Sequence, residues 1–236
     1  MCGRFVSSQT SSAIAQFFGA SFEGSPLLAN FNVAPTNDVY GVVADASGDR
    51  RLEAFRWGLV PSWAKDVKIG SKMINARAET IAEKPAFKAL LKKHRVIVPM
   101  DGFYEWQAAR EGAPLTKAGK AMKTPMFIHR ADGMPLAVAG LCAAWRDREA
   151  GPDAPWLHTC TLITTAANQT MASVHDRMPV ILPASAWDLW LDPTANDTGI
   201  LVPLLAPAPN DVLVMHAVST DVNNVRNRGR ELVDPV

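Results

Sequence analysis

The sequence predicts an α+β fold in one domain: a curved, mostly antiparallel β-sheet with a barrel-like core and a few peripheral helices. Three observations predict it. Seven strand-like runs, several of them β-branched and bounded by Gly, Pro or Asp, outnumber four helical candidates. Their spacing is not that of repeating βαβ units. No internal repeat or interdomain linker interrupts the 236 residues, so the domain spans 1–236.

In chain order, Thr10 to Phe18 reads as a short helix, with hydroxyl residues at its start, apolar Ile14, Phe17 and Phe18 on one side, and Gly19 as its stop. A loop rich in Gly, Ser, Pro and Asn leads to Asn32-Val33-Ala34-Pro35-Thr36. Strands are expected at Val39 to Ala44, Leu52 to Trp57, Val96 to Pro99, Pro125 to His129, Leu136 to Ala144, Leu157 to Thr164 and Val212 to Ala217. Helices are expected at Pro85 to His94, Asn168 to Val174 and Ala184 to Leu191, and Gly112 to Lys123 reads as a mobile surface hairpin or loop.

Composition narrows the function classes. The chain is 48% hydrophobic and 20% charged, which suits a buried core, and no apolar run approaches the roughly 20 residues of a membrane span. The opening MCGRFVSSQT lacks a signal peptide's charged start and apolar middle, so the expected location is the cytoplasm, or the nucleoid if nucleic acid is the partner. Three scattered cysteines, Cys2, Cys142 and Cys160, are too few for a disulfide framework and are expected reduced. Net charge is +1, yet residues 50–130 hold 17 Lys and Arg against 7 Asp and Glu, while the flanks hold 7 against 16. A basic middle third fits either a phosphate-binding face or an ordinary solvated surface. Lys84, Lys88, Lys92 and Lys93 fall on the outer side of a helix and belong to the second class.

Cys2 carries the first chemical signal. A small residue after Met1 permits removal of the initiator methionine, leaving a free α-amine (pKa about 8) beside a thiol (pKa about 8.5). An amine condenses with an aldehyde to an imine, and a thiol two carbons away closes on the imine carbon to give a thiazolidine ring. Placement within one residue makes the closure unimolecular. The same pair suits an N-terminal-nucleophile hydrolase, in which the α-amine is the base for the thiol. A third reading is a cysteine that merely follows the start codon.

Other clusters add candidates. In Met73-Ile74-Asn75-Ala76-Arg77-Ala78-Glu79-Thr80, Asn75 and Arg77 share one side of an extended stretch, so an amide and a guanidinium could meet one ligand; a turn and helix cap is the plainer alternative. In Asp101-Gly102-Phe103-Tyr104-Glu105-Trp106, burial among aromatics would let Glu105 carry a proton near neutral pH. In Val174-His175-Asp176-Arg177-Met178-Pro179, His175 is the natural acid/base group. His94, His129, His158 and His216 read as structural, and Cys142 and Cys160 as core. No paired Cys spacing, His-x-x-x-His or phosphate-binding glycine loop is present, so no metal and no cofactor is expected.

Taken together, Met1-Cys2-Gly3-Arg4-Phe5, Asn32 to Thr36, Trp57-Gly58-Leu59-Val60-Pro61-Ser62-Trp63, Ile74 to Thr80, Gly102 to Trp106 and His175 to Pro179 resemble the SOS-response-associated peptidase (SRAP) family. Val218-Ser219 through Asn223-Asn224-Val225 to Leu232 resembles its ending, so the likeness covers essentially the whole chain. The resemblance implies an abasic-site sensor; a monomer is the default expectation, and no membrane partner is expected from the apolar runs. Its partner would be single-stranded DNA, held covalently at an abasic site through a Cys2 thiazolidine. It also implies self-removal of Met1 and a reversal or lyase activity. By it, Cys2 is the nucleophile, Asn75 holds the sugar or orients the α-amine, and Glu105 and His175 move protons. Arg4, Arg77 and Arg177 hold phosphates, while Trp63, Asn32 and Pro35 pack on exposed bases. Two competing readings are an N-terminal-cysteine amidohydrolase or protease acting on peptides, and a non-catalytic reader of modified bases.

Overall fold

The computed structural model describes residues 2–116, 118–151 and 153–236. Its core is a closed barrel of five strands, β4 (Asp38–Ala44), β5 (Arg50–Trp57), β7 (Arg95–Met100), β10 (Leu136–Trp145) and β11 (Leu157–Ala166). Neighbours pair antiparallel around the ring from β5 through β4, β7 and β10 to β11, and a short parallel pairing of Thr159–Cys160 with Arg56–Trp57 closes it. Closure removes the exposed edges that an open sheet would leave. Strand alternation then sorts the side chains. Val96 and Val98 point inward with Phe55, Trp57, Cys160 and Leu162, while Ile97 points outward with Leu52, Leu141 and Ile163.

Both faces are therefore apolar, and each is covered. Outside lie the helices α1 (Ser11–Phe18), α2 (Pro85–Lys93), α3 (Trp187–Leu191) and α4 (Thr198–Leu201), which contribute Phe18, Leu91, Trp190 and Leu201. The inner face meets a second, antiparallel sheet of five strands in the order β13 (Leu213–Ala217), β9 (Thr124–Arg130), β8 (Gly102–Gln107), β1 (Phe5–Ser7) and β3 (Asn30–Val33). Phe5, Phe103 and Ile128 of that sheet complete the barrel's interior cluster. Its opposite face, Val6, Tyr104 and Phe127, is covered by Val218, Val222 and Leu232 of the C-terminal segment. Three short strands, β2 (Ser21–Phe22), β6 (Asn75–Arg77) and β12 (Arg177–Pro179), extend the barrel sheet.

Local signals explain the elements. Thr10 caps α1 by accepting from Ala13 N, and Gly19 ends it in the left-handed region at φ 60°. Loss of such a cap costs about 1 kcal/mol. Pro85 opens α2, where its missing N–H costs nothing. The expected helix from Asn168 to Val174 forms only as a 3₁₀ turn at Met171–Ser173, because the Asn168 Oδ1 that accepts from Met171 N belongs to a side chain tied by Nδ2 to Ala208 O. The predicted hairpin at Gly112 to Lys123 contains a bridge between Leu115 and Ala121; Lys117 lies outside the described residues. No helix among the described residues is long and apolar enough to cross a membrane.

Candidate active site and nucleic-acid interface

Cys2 precedes β1, which runs antiparallel to β8 with Phe5 opposite Phe103. Continued in that register, Gly3 falls opposite Glu105 and Cys2 lies one residue beyond, within reach of the Glu105 charge and fully buried in the barrel's interior cluster. Burial raises its thiol pKa far above the ordinary value, the charge of Glu105 adds to the rise, and a hydrogen bond from the Arg4 main chain opposes it. Burial thus favours the protonated thiol at Cys2, near the buried Glu105 side chain. Met1 lies outside the described residues.

Asn75 approaches from the barrel side. Its Nδ2 donates to the Cys2 carbonyl oxygen at 2.8 Å, and its Oδ1 is buried with no hydrogen-bond partner among the described residues. Three contacts from the Trp57-Gly58-Leu59 run put it there. Trp57 Nε1 donates to Ile74 O at 3.0 Å, Leu59 N donates to Met73 O at 3.1 Å, and Gly58, at φ 126°, lets the chain cross Gly70 so closely that a Cβ on Gly58 would lie 2.6 Å from Gly70 O. β6 then pairs parallel with β11, Asn75 opposite Leu162 and Arg77 opposite Thr164.

The turn Ala34 to Asn37 docks on the same strand end. Asn37 N donates to Ala34 O, Thr36 N to Trp57 O, and Trp57 N to Asn37 O, with Thr36 held at φ 75°. A β-branched residue there is strained backbone, which persists only where the surroundings impose it. Pro35 is half-buried at its apex.

His175 follows the Met171–Ser173 turn, which Gln107 binds by donating to Ser173 O at 3.1 Å. Gln107 and Glu105 share one face of β8, so the His175 loop lies on the side of the sheet that Glu105 faces. His175 Nδ1 is approached by Arg177 N at 3.0 Å and by Asp176 Oδ1 at 2.7 Å. It accepts from the first as a neutral Nε2–H imidazole and donates to the second when it carries a proton. One nitrogen cannot do both at once, so the two neighbours compete for Nδ1.

Two of the expected DNA contacts have protein partners of their own. Asn32 is fully buried, its Nδ2 within 3.1 Å of the carbonyls of Val222, Asn224 and Asn227 and its Oδ1 accepting from Arg4. It anchors the C-terminal segment and Arg4, and no face is left for a base to stack on. Arg177 has a side chain only 14% exposed, with both terminal nitrogens on Glu79 at 2.5 and 2.9 Å and Nη2 also on Thr164 O at 2.7 Å. Its charge is already matched by a carboxylate, which in turn is held below the usual carboxylate range by that hydrogen bond. Arg4 is half-buried between Asn32, Val222 O and the Trp106 ring. Arg77 and Trp63 remain exposed, Arg77 with no hydrogen bond or ion pair among the described residues.

The basic middle third is also less of a surface than its count suggests. Arg95 is buried against the carbonyls of Trp190, Leu91 and Asp192, Arg50 pairs with Asp188, and Arg130 pairs with Asp132.

Fold and site together define a barrel-and-sheet protein organised around a buried cysteine near its N-terminus, with an amide and a carboxylate beside it. The chain belongs to the SOS response associated peptidase (SRAP) family, which it matches over residues 1–225. It is 41% identical over 237 residues to the abasic site processing protein YoqW of Bacillus subtilis (strain 168), covering 99% of each chain. To the abasic site processing protein YedK of Escherichia coli (strain K12) it is 31% identical over 242 residues, covering 100% of each. Among solved structures it resembles a protein from Bacteroides thetaiotaomicron at a TM-score of 0.83, with 25% identity over 100% of both chains.

Proposed function

We propose that this chain processes abasic sites by capturing them covalently in single-stranded DNA through Cys2. The names of its relatives support the substrate. The observation that carries the chemistry is the Asn75 to Cys2 hydrogen bond beside Glu105, which holds the cysteine's own backbone, as an α-amine nucleophile requires.

Loss of Met1 by hydrolysis, with Cys2 as nucleophile, frees the α-amine. The amine adds to the aldehyde of the ring-opened deoxyribose, and loss of one water gives an imine. The thiol then adds across the C=N bond, sulfur bonding to carbon while its proton passes to nitrogen. One aldehyde, one amine and one thiol are consumed and one water is released, with no redox partner. The thiol proton needs an acceptor; Glu105, whose charge acts on Cys2, takes it, and His175 serves transfers to and from the sugar oxygens. The unpartnered Asn75 Oδ1 receives the Cys2 ammonium or a sugar hydroxyl, which removes the penalty of a buried lone acceptor. Reversal runs the same proton transfers backwards.

Arg77, on the same short strand as Asn75, binds a flanking phosphate, and Trp63 and Pro35 pack on unpaired bases. Arg4 and Arg177 act mainly as positioning residues, Arg4 through Asn32 and Arg177 by fixing the His175 loop to Glu79. Stoichiometry tests the reading: with excess abasic oligonucleotide, each chain forms one adduct and stops. Repeated turnover of a peptide substrate by Cys2 would overturn it in favour of a hydrolase.

A further inference from the structure

Both strongly exposed tryptophans of the chain line one cavity. Trp63 is 62% exposed and Trp156 is 60% exposed, and they border a recess of about 670 Å³ at the mouth of the barrel, floored by Val43, Phe55, Cys142 and His158. Arg146 lies over the Trp156 ring at 5.0 Å, and Lys93 stands on the rim with Arg51, which pairs with the single carboxylate of Glu53 at 3.6 Å. An aromatic face backed by a guanidinium, with cations around it and one acid, matches a planar aromatic ligand that carries negative charge. An apolar protein partner would not call for that charge excess.

Resting on the capture reading above, we propose that this mouth is a second nucleic-acid subsite, where an unpaired base stacks on Trp156 while its phosphate meets Arg51 or Lys93. Its place in the fold suits one strand that also reaches Cys2. His158 at the mouth and Leu162, which sits opposite Asn75, are four residues apart on β11. That is about 13 Å of strand, or about four stacked nucleotides at 3.4 Å each. The base in the mouth is therefore a few nucleotides from the captured sugar.

The test uses the full chain and fluorescein-labelled oligothymidylates of about 4 and about 16 nucleotides, spanning the site sizes of single-strand-binding folds. Trp156→Ala is expected to weaken binding of the long intact strand by about fivefold or more, the low end for loss of one stacked base, and to leave the short strand unaffected. Trp156→Phe restores most of the loss. Equal affinity of wild type and Trp156→Ala for the long strand overturns the subsite, as does a loss that Trp156→Phe fails to restore. Adduct formation on an abasic strand, measured alongside, separates the two claims: adduct without a Trp156 effect removes the subsite alone, and a Trp156 effect without adduct removes the capture reading alone.

Discussion

Asn75 and Cys2, 73 residues apart in sequence, are joined by a 2.8 Å hydrogen bond from Nδ2 to the Cys2 carbonyl. The bond acts on the main chain of Cys2, so it fixes where an α-amine at that residue points and leaves the thiol free to react. Asn75→Ala removes both the donor and the buried Oδ1. It is expected to slow adduct formation about tenfold while leaving affinity for intact single strands within about twofold, since one such bond is worth about 1 kcal/mol and its orienting effect adds to that. Single-turnover kinetics beside equilibrium binding checks it; an equal loss in both would make Asn75 a DNA contact.

Arg77 is exposed on β6, two residues beyond Asn75. Arg77→Ala is expected to weaken binding to abasic and intact single strands alike, with the slope of log affinity against log salt shallower by about 0.7. A salt titration of wild type and variant decides it, and an unchanged slope would exclude a phosphate contact.

Arg177 and Glu79 form a two-pronged ion pair that ties β12 to the chain just after β6. With Glu79 half exposed the pair is worth about 1 kcal/mol or less, and a double-mutant cycle with Arg177→Ala and Glu79→Ala should show coupling of that order in thermal melting. If Arg177 instead served as a free phosphate ligand, the coupling would vanish and Arg177→Ala would change the salt slope as Arg77→Ala does.

Stability should fall on the alkaline side. Burial holds the thiols of Cys2 and Cys160 far above the ordinary thiol range and pushes Cys142 up to about 12. These groups keep their protons in the folded chain and lose them when unfolded, so their contribution is complete below about pH 9 and declines from there toward pH 12. Melting temperatures measured from pH 7 to 11 should drop above pH 9, and Cys160→Ala should drop less steeply than wild type. A flat profile would mean the thiols do not govern alkaline unfolding.

Much of this was legible in the sequence. All seven expected strands form, because their β-branched runs are bounded by residues that stop them, and α1 and α2 follow from Thr10, Gly19 and Pro85. Barrel closure was not legible in detail, since the pairing of β11 with β5 joins residues about a hundred positions apart and no local pattern encodes it. Of the two readings offered for Asn75 and Arg77, the extended stretch forms as β6, and a 3₁₀ turn follows at Ala78–Thr80. The role of Trp57 and Gly58 in holding Asn75 was missed, although a Gly directly after a strand-like run is a signal of close backbone approach. Asn32 and Arg177, which the resemblance implies as DNA contacts, also have internal hydrogen bonds, and sequence gives no measure of those.

The most direct test of covalent capture mixes purified chain, with its N-terminus verified by intact mass, with a single-stranded oligonucleotide bearing one abasic site, followed by denaturing electrophoresis. The account predicts a shifted band that survives heating without borohydride, requires loss of Met1 and disappears in Cys2→Ala, although that variant still binds the strand. A band that persists in Cys2→Ala, or no band from correctly processed wild type, would contradict it.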